Sequence, residues 1–236
     1  MDSRALAWFA GVVHTDGYLY FREGRVKELR LRVSEPSIEM LACWKICLDT
    51  LTGKRHSLLV EPMYDSRYGR TFEQYLVREG SVSAIMRVEQ SLNVIGSSLF
   101  YYRPPDLAFK DSRVAGAYLA GVVDGDGCFQ IRPRRDAFKP ELLLKIASAS
   151  SEPLKSLQSL LFSQGLSIGY VSLYSNHADL WVYASRRFRR WFEANAADCL
   201  TIARKRFKFK ILERAPWCLG GGLSLSSKGS PPNVVV

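Results

Sequence analysis

Residues 9–17 read Phe-Ala-Gly-Val-Val-His-Thr-Asp-Gly, and residues 119–127 read Leu-Ala-Gly-Val-Val-Asp-Gly-Asp-Gly. Six of the nine positions are identical, at an offset of 110 residues, which is the spacing of duplicated small domains. An aromatic residue precedes each copy (Trp8, Tyr118), and a strand-like run follows each, over 18–22 and 128–132.

The elements after each copy repeat in the same order. In the first half, residues 28–33 alternate polar and apolar, as a half-buried strand does. Ser34-Glu35-Pro36-Ser37 opens a helix over 38–51, and strands at 57–61 and 71–78 precede a helix over 83–92. In the second half a strand at 142–147 leads to Ser151-Glu152-Pro153, which opens a helix running to 162; strands near 170–174 and 180–183 precede a helix from 188. Each half therefore reads α-β-β-α-β-β-α. The fold class is α+β, with two pseudo-symmetric repeats (1–102 and 114–218), antiparallel sheets, and the two motif helices packed at the interface. Residues 103–113, with Pro104-Pro105, are the expected linker, and from 219 the Gly-, Ser- and Pro-rich chain is expected to form a disordered tail.

Each motif reads as a helix ending at its last glycine, and Gly17 and Gly127 suit a left-handed cap. Phe9, Val12 and Val13 form an apolar face, and the small Ala10 and Gly11 allow another helix to approach closely. Asp16 and Asp126 each stand just before the terminal glycine, where the negative end of the helix dipole disfavours a carboxylate. Two such helices side by side would gather two carboxylates and free carbonyls, a set of hard oxygen donors that calls for Mg²⁺.

These two segments resemble the motifs of the LAGLIDADG homing endonucleases, in the single-chain form that carries two motifs. The second copy is the closer match; in the first, His14 stands where the second has Asp124, and Thr15 replaces a small residue. The resemblance implies a saddle of two sheets over the major groove of double-stranded DNA. It also implies hydrolysis of both strands of a long asymmetric target across the minor groove, leaving short 3′ overhangs. Asp16 and Asp126 would be catalytic and metal-binding, with Thr15 and Gly125 beside the metal. Mg²⁺ would be the cofactor, Mn²⁺ a substitute, and Ca²⁺ an ion that binds without supporting cleavage. Family members often place a lysine after the last helix to polarise the attacking water, and Lys205 is the candidate; the first half has no equivalent lysine, and Arg103 is its nearest base. Such enzymes are intron-encoded and, in this form, monomeric. The same fold also serves intron RNA splicing maturases and non-cleaving DNA-binding regulators.

Counting by twos from Asp126 reaches Gln130, Arg132 and Arg134; from Asp16 it reaches Tyr20 and Arg22. On the next strand Glu28, Arg30 and Arg32 alternate with Leu29, Leu31 and Val33, and Lys145 is read as the second-half counterpart of Arg32. Arg and Gln suit bidentate contacts to base edges. The net charge of +10 fits a polyanionic partner. From residue 113 onward Lys and Arg outnumber Asp and Glu by 18 to 9, against 15 to 14 before it. The excess concentrates at Arg186-Arg187, Arg189-Arg190 and around Arg204-Lys205-Arg206, where Phe188, Trp191, Phe207 and Phe209 are expected on the buried side. The five cysteines (43, 47, 128, 199, 218) fit neither a disulfide framework nor a zinc pattern. With no signal peptide or transmembrane run, an intracellular setting is expected, in bacterial cytoplasm or an organelle matrix.

Overall fold

The computed structural model describes residues 1–132, 141–166 and 169–214. Helix α1 (Ser3–Asp16) starts on an Asp2 side chain that accepts from the Ala5 amide at 2.7 Å. It leads into strands β1 (Gly17–Arg22) and β2 (Arg25–Ser34), helix α2 (Ile38–Thr52), strands β3 (Leu59–Asp65) and β4 (Arg70–Glu79), and helix α3 (Val82–Asn93). A 3-10 turn at Asp106–Phe109 precedes α4 (Ser112–Asp126), which Asp111 caps. The series then recurs as β5 (Gly127–Arg132), β6 (Glu141–Ser148), α5 (Ser151–Ser163), β7 (Tyr170–Leu173), β8 (Ala178–Tyr183) and α6 (Arg186–Asn195). One helix, α7 (Ala203–Arg214), lies outside the expected pattern.

The repeats build matching antiparallel sheets, ordered β1-β2-β4-β3 and β5-β6-β8-β7. Pro62 sits in β3, an edge strand, where its missing N–H costs no ladder bond, so β3 runs on to Asp65 rather than stopping at Glu61. Alternation holds in β2, where Leu29, Leu31 and Val33 are buried and their neighbours are not. Register corrects one pairing. Gly17 faces Leu31 and Gly127 faces Ile146, so Lys145 is the counterpart of Arg30, not of Arg32. The second hairpin carries more chain between its strands, which shifts the equivalence away from simple counting.

The core centres on α1 and α4, the most extensively packed pair of elements in the chain. A side chain at Gly11 would land on the Tyr118 carbonyl oxygen, and one at Gly121 on that of Trp8. These reciprocal gaps set the helix separation. The terminal glycines behave differently from expectation. Gly17 (φ −70°) and Gly127 (φ −85°) are extended, not left-handed. Their need for glycine is steric instead: a Cβ would sit 2.5 Å from the Val13 carbonyl oxygen or from the Val123 Cα. The chain can then turn at once from helix into strand.

The basic segments also depart in detail. Phe188 and Phe209 are buried, but Phe207 is 67% exposed, because the inward positions before and along α7 are Ile202, Lys205 and Phe209. Arg189 is buried rather than solvated. Arg134 and the 219–236 segment lie outside the described residues.

Candidate active site at the paired helix ends

Because α1 and α4 run together, Asp16 and Asp126 come to one place, each at the junction of a motif helix with the first strand of its sheet. The Asp16 carboxylate and the Thr15 side chain lie against Gly125 of the other helix; a Cβ on Gly125 would be 3.4 Å from Asp16 Oδ2 and would collide with Thr15. The branched residue of the looser first motif is thus accommodated by the absent side chain of the second. Thr15 turns its hydroxyl proton back to the Gly11 and Val12 carbonyls at 3.0 and 3.1 Å.

The electrostatics of the two carboxylates are coupled. Burial, and then the charge of Asp126, push the Asp16 carboxyl up to about 6, while Lys205 pulls against them. Loss of water among the packed helix ends also raises Asp126, again opposed by Lys205. Among the described residues no group of three or more His, Cys, Asp and Glu side chains gathers as a metal site. The side-chain oxygens that meet here are those of Asp16 and Asp126. They fit Mg²⁺, which binds through one or two carboxylates and fills its octahedron with water and phosphate oxygens.

Two braces hold the helix ends, and their roles were not legible from sequence. Asp124 is buried and accepts from Trp8 Nε1 (3.0 Å), the Thr201 amide and hydroxyl (both 2.9 Å) and the Ile202 amide (3.3 Å). At the related position His14 Nδ1 lies 3.0 Å from Tyr118 Oη, and Nε2 lies 2.8 Å from the Ser98 carbonyl. Burial holds the His14 imidazole down at about 4, so it is neutral. Nε2 then donates to Ser98, and Nδ1 accepts the Tyr118 hydroxyl. The aromatics ahead of each motif were the available signal: each ties its helix to the other.

Lys205 is buried. Its ammonium donates to the carbonyls of Val123, Asp124 and Gly125 at 2.7, 2.6 and 3.0 Å.

The polar sheet faces continue from the two aspartates by strand alternation, with Tyr18, Tyr20 and Arg22 on β1 and Gln130 and Arg132 on β5. Most of the basic side chains there already have partners. Arg30 lies over the Tyr18 ring at 4.3 Å and pairs with Glu28 at 3.4 Å; Arg32 pairs with Glu61 at 2.6 Å. In the second sheet Arg132 stacks over Trp181 at 4.5 Å, and Lys145 pairs with the buried Asp179 at 2.8 Å. Glu61, Asp179 and Trp181 were not foreseen, because they come from strands distant in sequence.

Two matching four-stranded antiparallel sheets, with a motif helix from each repeat packed between them, decide the architecture. The chain has the two-motif LAGLIDADG fold. It is similar to the homing endonuclease I-WcaI bound to its DNA recognition sequence (TM-score 0.58, 11% identity, 88% of this chain and 86% of that one). A variant of I-DmoI in complex with its target DNA in the presence of Mg gives TM-score 0.52 at 16% identity, over 82% of this chain and 95% of that one. The N-terminal LAGLIDADG domain of DUF199/WhiA gives 0.51 at 15%, over 81% and 80%. No family model matches the sequence, and no curated protein matches it. At 11–16% identity, what is shared with these structures is the fold.

Proposed function

We propose that this chain is a site-specific homing endonuclease that hydrolyses both strands of a long asymmetric DNA target with a divalent metal, leaving short 3′ overhangs. The observation that carries the reading is the meeting of Asp16 and Asp126 at adjoining helix ends, each directly before the first strand of its sheet. Asp16 and Asp126 would hold Mg²⁺, with backbone oxygens near Thr15 and Gly125 as supplementary donors. The metal, when bound, would supply Lewis-acid stabilisation of charge developing on the scissile phosphate. The sheets hold the duplex so that both backbones approach the carboxylates. One chain carries both half-sites, so a monomer suffices.

A non-cleaving DNA-binding role on the same fold is the competing reading, and the presence of both carboxylates argues against it. Burial raises both carboxyls, so their position is costly for folding. The test is to incubate purified protein and Mg²⁺ with duplexes spanning the uninterrupted insertion site of its gene. Double-strand cuts with Mg²⁺ and none with EDTA are expected. Tight specific binding without cleavage would establish the regulator instead.

A further inference from the structure

Helix α7 has no counterpart in the first repeat, where the described chain after α3 offers only the 3-10 turn Asp106–Phe109. It is tied in three directions. Its first amide, Ala203 N, donates to the Glu39 carboxylate of α2 at 2.7 Å, and Arg204 reaches the Pro36 carbonyl and the Ser37 hydroxyl, both at 3.3 Å. The chain just before it, Thr201 and Ile202, is held by Asp124 of α4. Further along, Phe209 packs on Phe129 and Phe192 at ring distances of 5.4 and 4.7 Å. The second repeat is thus clasped to the first through a helix that also carries Lys205.

An ammonium has three N–H donors, and Lys205 has three carbonyl partners, all in the last turn of α4. None is left over to hold a water. The last turn of a helix leaves carbonyls unpaired and carries partial negative charge, so a buried cation there fixes the turn. Asp126 is the residue directly after those carbonyls. Among the described residues no lysine or arginine does the same for α1, whose terminal residue is Asp16.

We infer that Lys205 is a positioning residue. Helix α7, anchored on the first repeat by Glu39, locks the end of α4 and so presets Asp126, while Asp16 lacks this support. The two half-sites are unequal, and the strand served by the preset half is cut first. This last clause rests on the endonuclease reading; the locking does not.

Two variants test it. Lys205→Met removes the lock, and Glu39→Gln weakens the anchor without touching the site, so it reports even if the first variant folds poorly. In metal-free, DNA-free protein, amide exchange over 126–128 is expected to accelerate about tenfold or more in Lys205→Met and less in Glu39→Gln, with 16–18 unchanged. On duplexes labelled separately on each strand, Lys205→Met is expected to slow one strand about tenfold, Glu39→Gln to slow the same strand less, and neither to slow the other strand by more than about threefold. The pH–rate profile of Glu39→Gln should match the parent's. Unchanged exchange, equal slowing of both strands, or a shifted pH profile in Lys205→Met with normal exchange would each overturn the inference; the last would assign Lys205 to proton handling. If the parent protein cuts no DNA, the endonuclease reading fails, and the exchange data still decide the lock.

Discussion

The indole N–H of Trp8 crosses the helix pair to the Asp124 carboxylate at 3.0 Å, and Tyr118 meets His14 in the reversed arrangement at the same distance. The two cross-links are related by the repeat, but they differ in strength. Asp124 satisfies four donors and His14 two partners. Asp124→Asn puts an N–H₂ where buried donors converge, so a loss of about 2–3 kcal/mol is expected, measured by urea unfolding. His14→Gln should cost less. Equal losses would mean that the braces are energetically equivalent.

The close approach of α1 and α4 rests on Gly11 and Gly121. Gly121→Ala places a methyl group against the Trp8 carbonyl, which is backbone and cannot rotate away. Opening the pair loosens its whole contact, and a destabilisation of about 3 kcal/mol or more is expected from thermal denaturation. Gly24→Ala at the tip of the β1–β2 hairpin meets open space, and its strain comes only from a positive φ of 71°. It should cost about 1 kcal/mol, so the ratio separates helix packing from backbone preference.

Much of this was readable because duplication repeats the local pattern. The element order and the alternation of β2 follow from periodicity, and the duplicated motif puts Asp16 and Asp126 at equivalent helix ends. What escaped depends on contacts remote in sequence. No local pattern shows that Lys205 would fold back on α4, that Asp179 would pair with Lys145, or that Gly17 is needed for space rather than for φ. Helix α7 was hidden because its charges resemble a solvated face, and the second-half register was misread because hairpin length is invisible to counting.

Asp16→Asn and Asp126→Asn preserve shape but remove one anionic oxygen each. Double-strand cleavage is expected to fall about a hundredfold or more in either, since charge stabilisation at the reacting phosphate is lost. DNA affinity in Ca²⁺ should stay within about threefold, because the residues proposed to contact bases lie on the sheets. Full activity in either variant would remove the metal-site assignment.

The paired bases of the second sheet separate DNA contact from folding. Arg132 lies on Trp181 and has no acidic partner among the described residues, so Arg132→Ala should weaken target binding by about 1–3 kcal/mol with little change in stability. Lys145→Met strands the buried Asp179 and should destabilise the fold by about 3 kcal/mol or more. Lys145→Met with Asp179→Asn should recover much of that stability and leave the binding loss exposed. A double variant that binds the target as the parent does would take Lys145 out of the interface.

The Asp16 carboxyl is raised from 3.8 to about 6, which sets the sign of a pH dependence. Between those values the folded chain keeps a proton that the unfolded chain has lost. Metal-free stability from this group is therefore greatest in acid and declines as pH rises through about 6. A shift of this size, discounted for the solvent that reaches the carboxylate, corresponds to about 1–2 kcal/mol. A cation reverses the balance, because it binds only the ionised form. Mg²⁺ at about ten times its dissociation constant should add about 1.4 kcal/mol above pH 6.5 and almost nothing below pH 5. Asp16→Asn should flatten the metal-free slope, raise the melting temperature at pH 7.5 without metal, and abolish the Mg²⁺ effect. Calorimetry across this range checks all three, and an Asp16→Asn protein with the parent's pH slope would show that the strain of the site lies elsewhere.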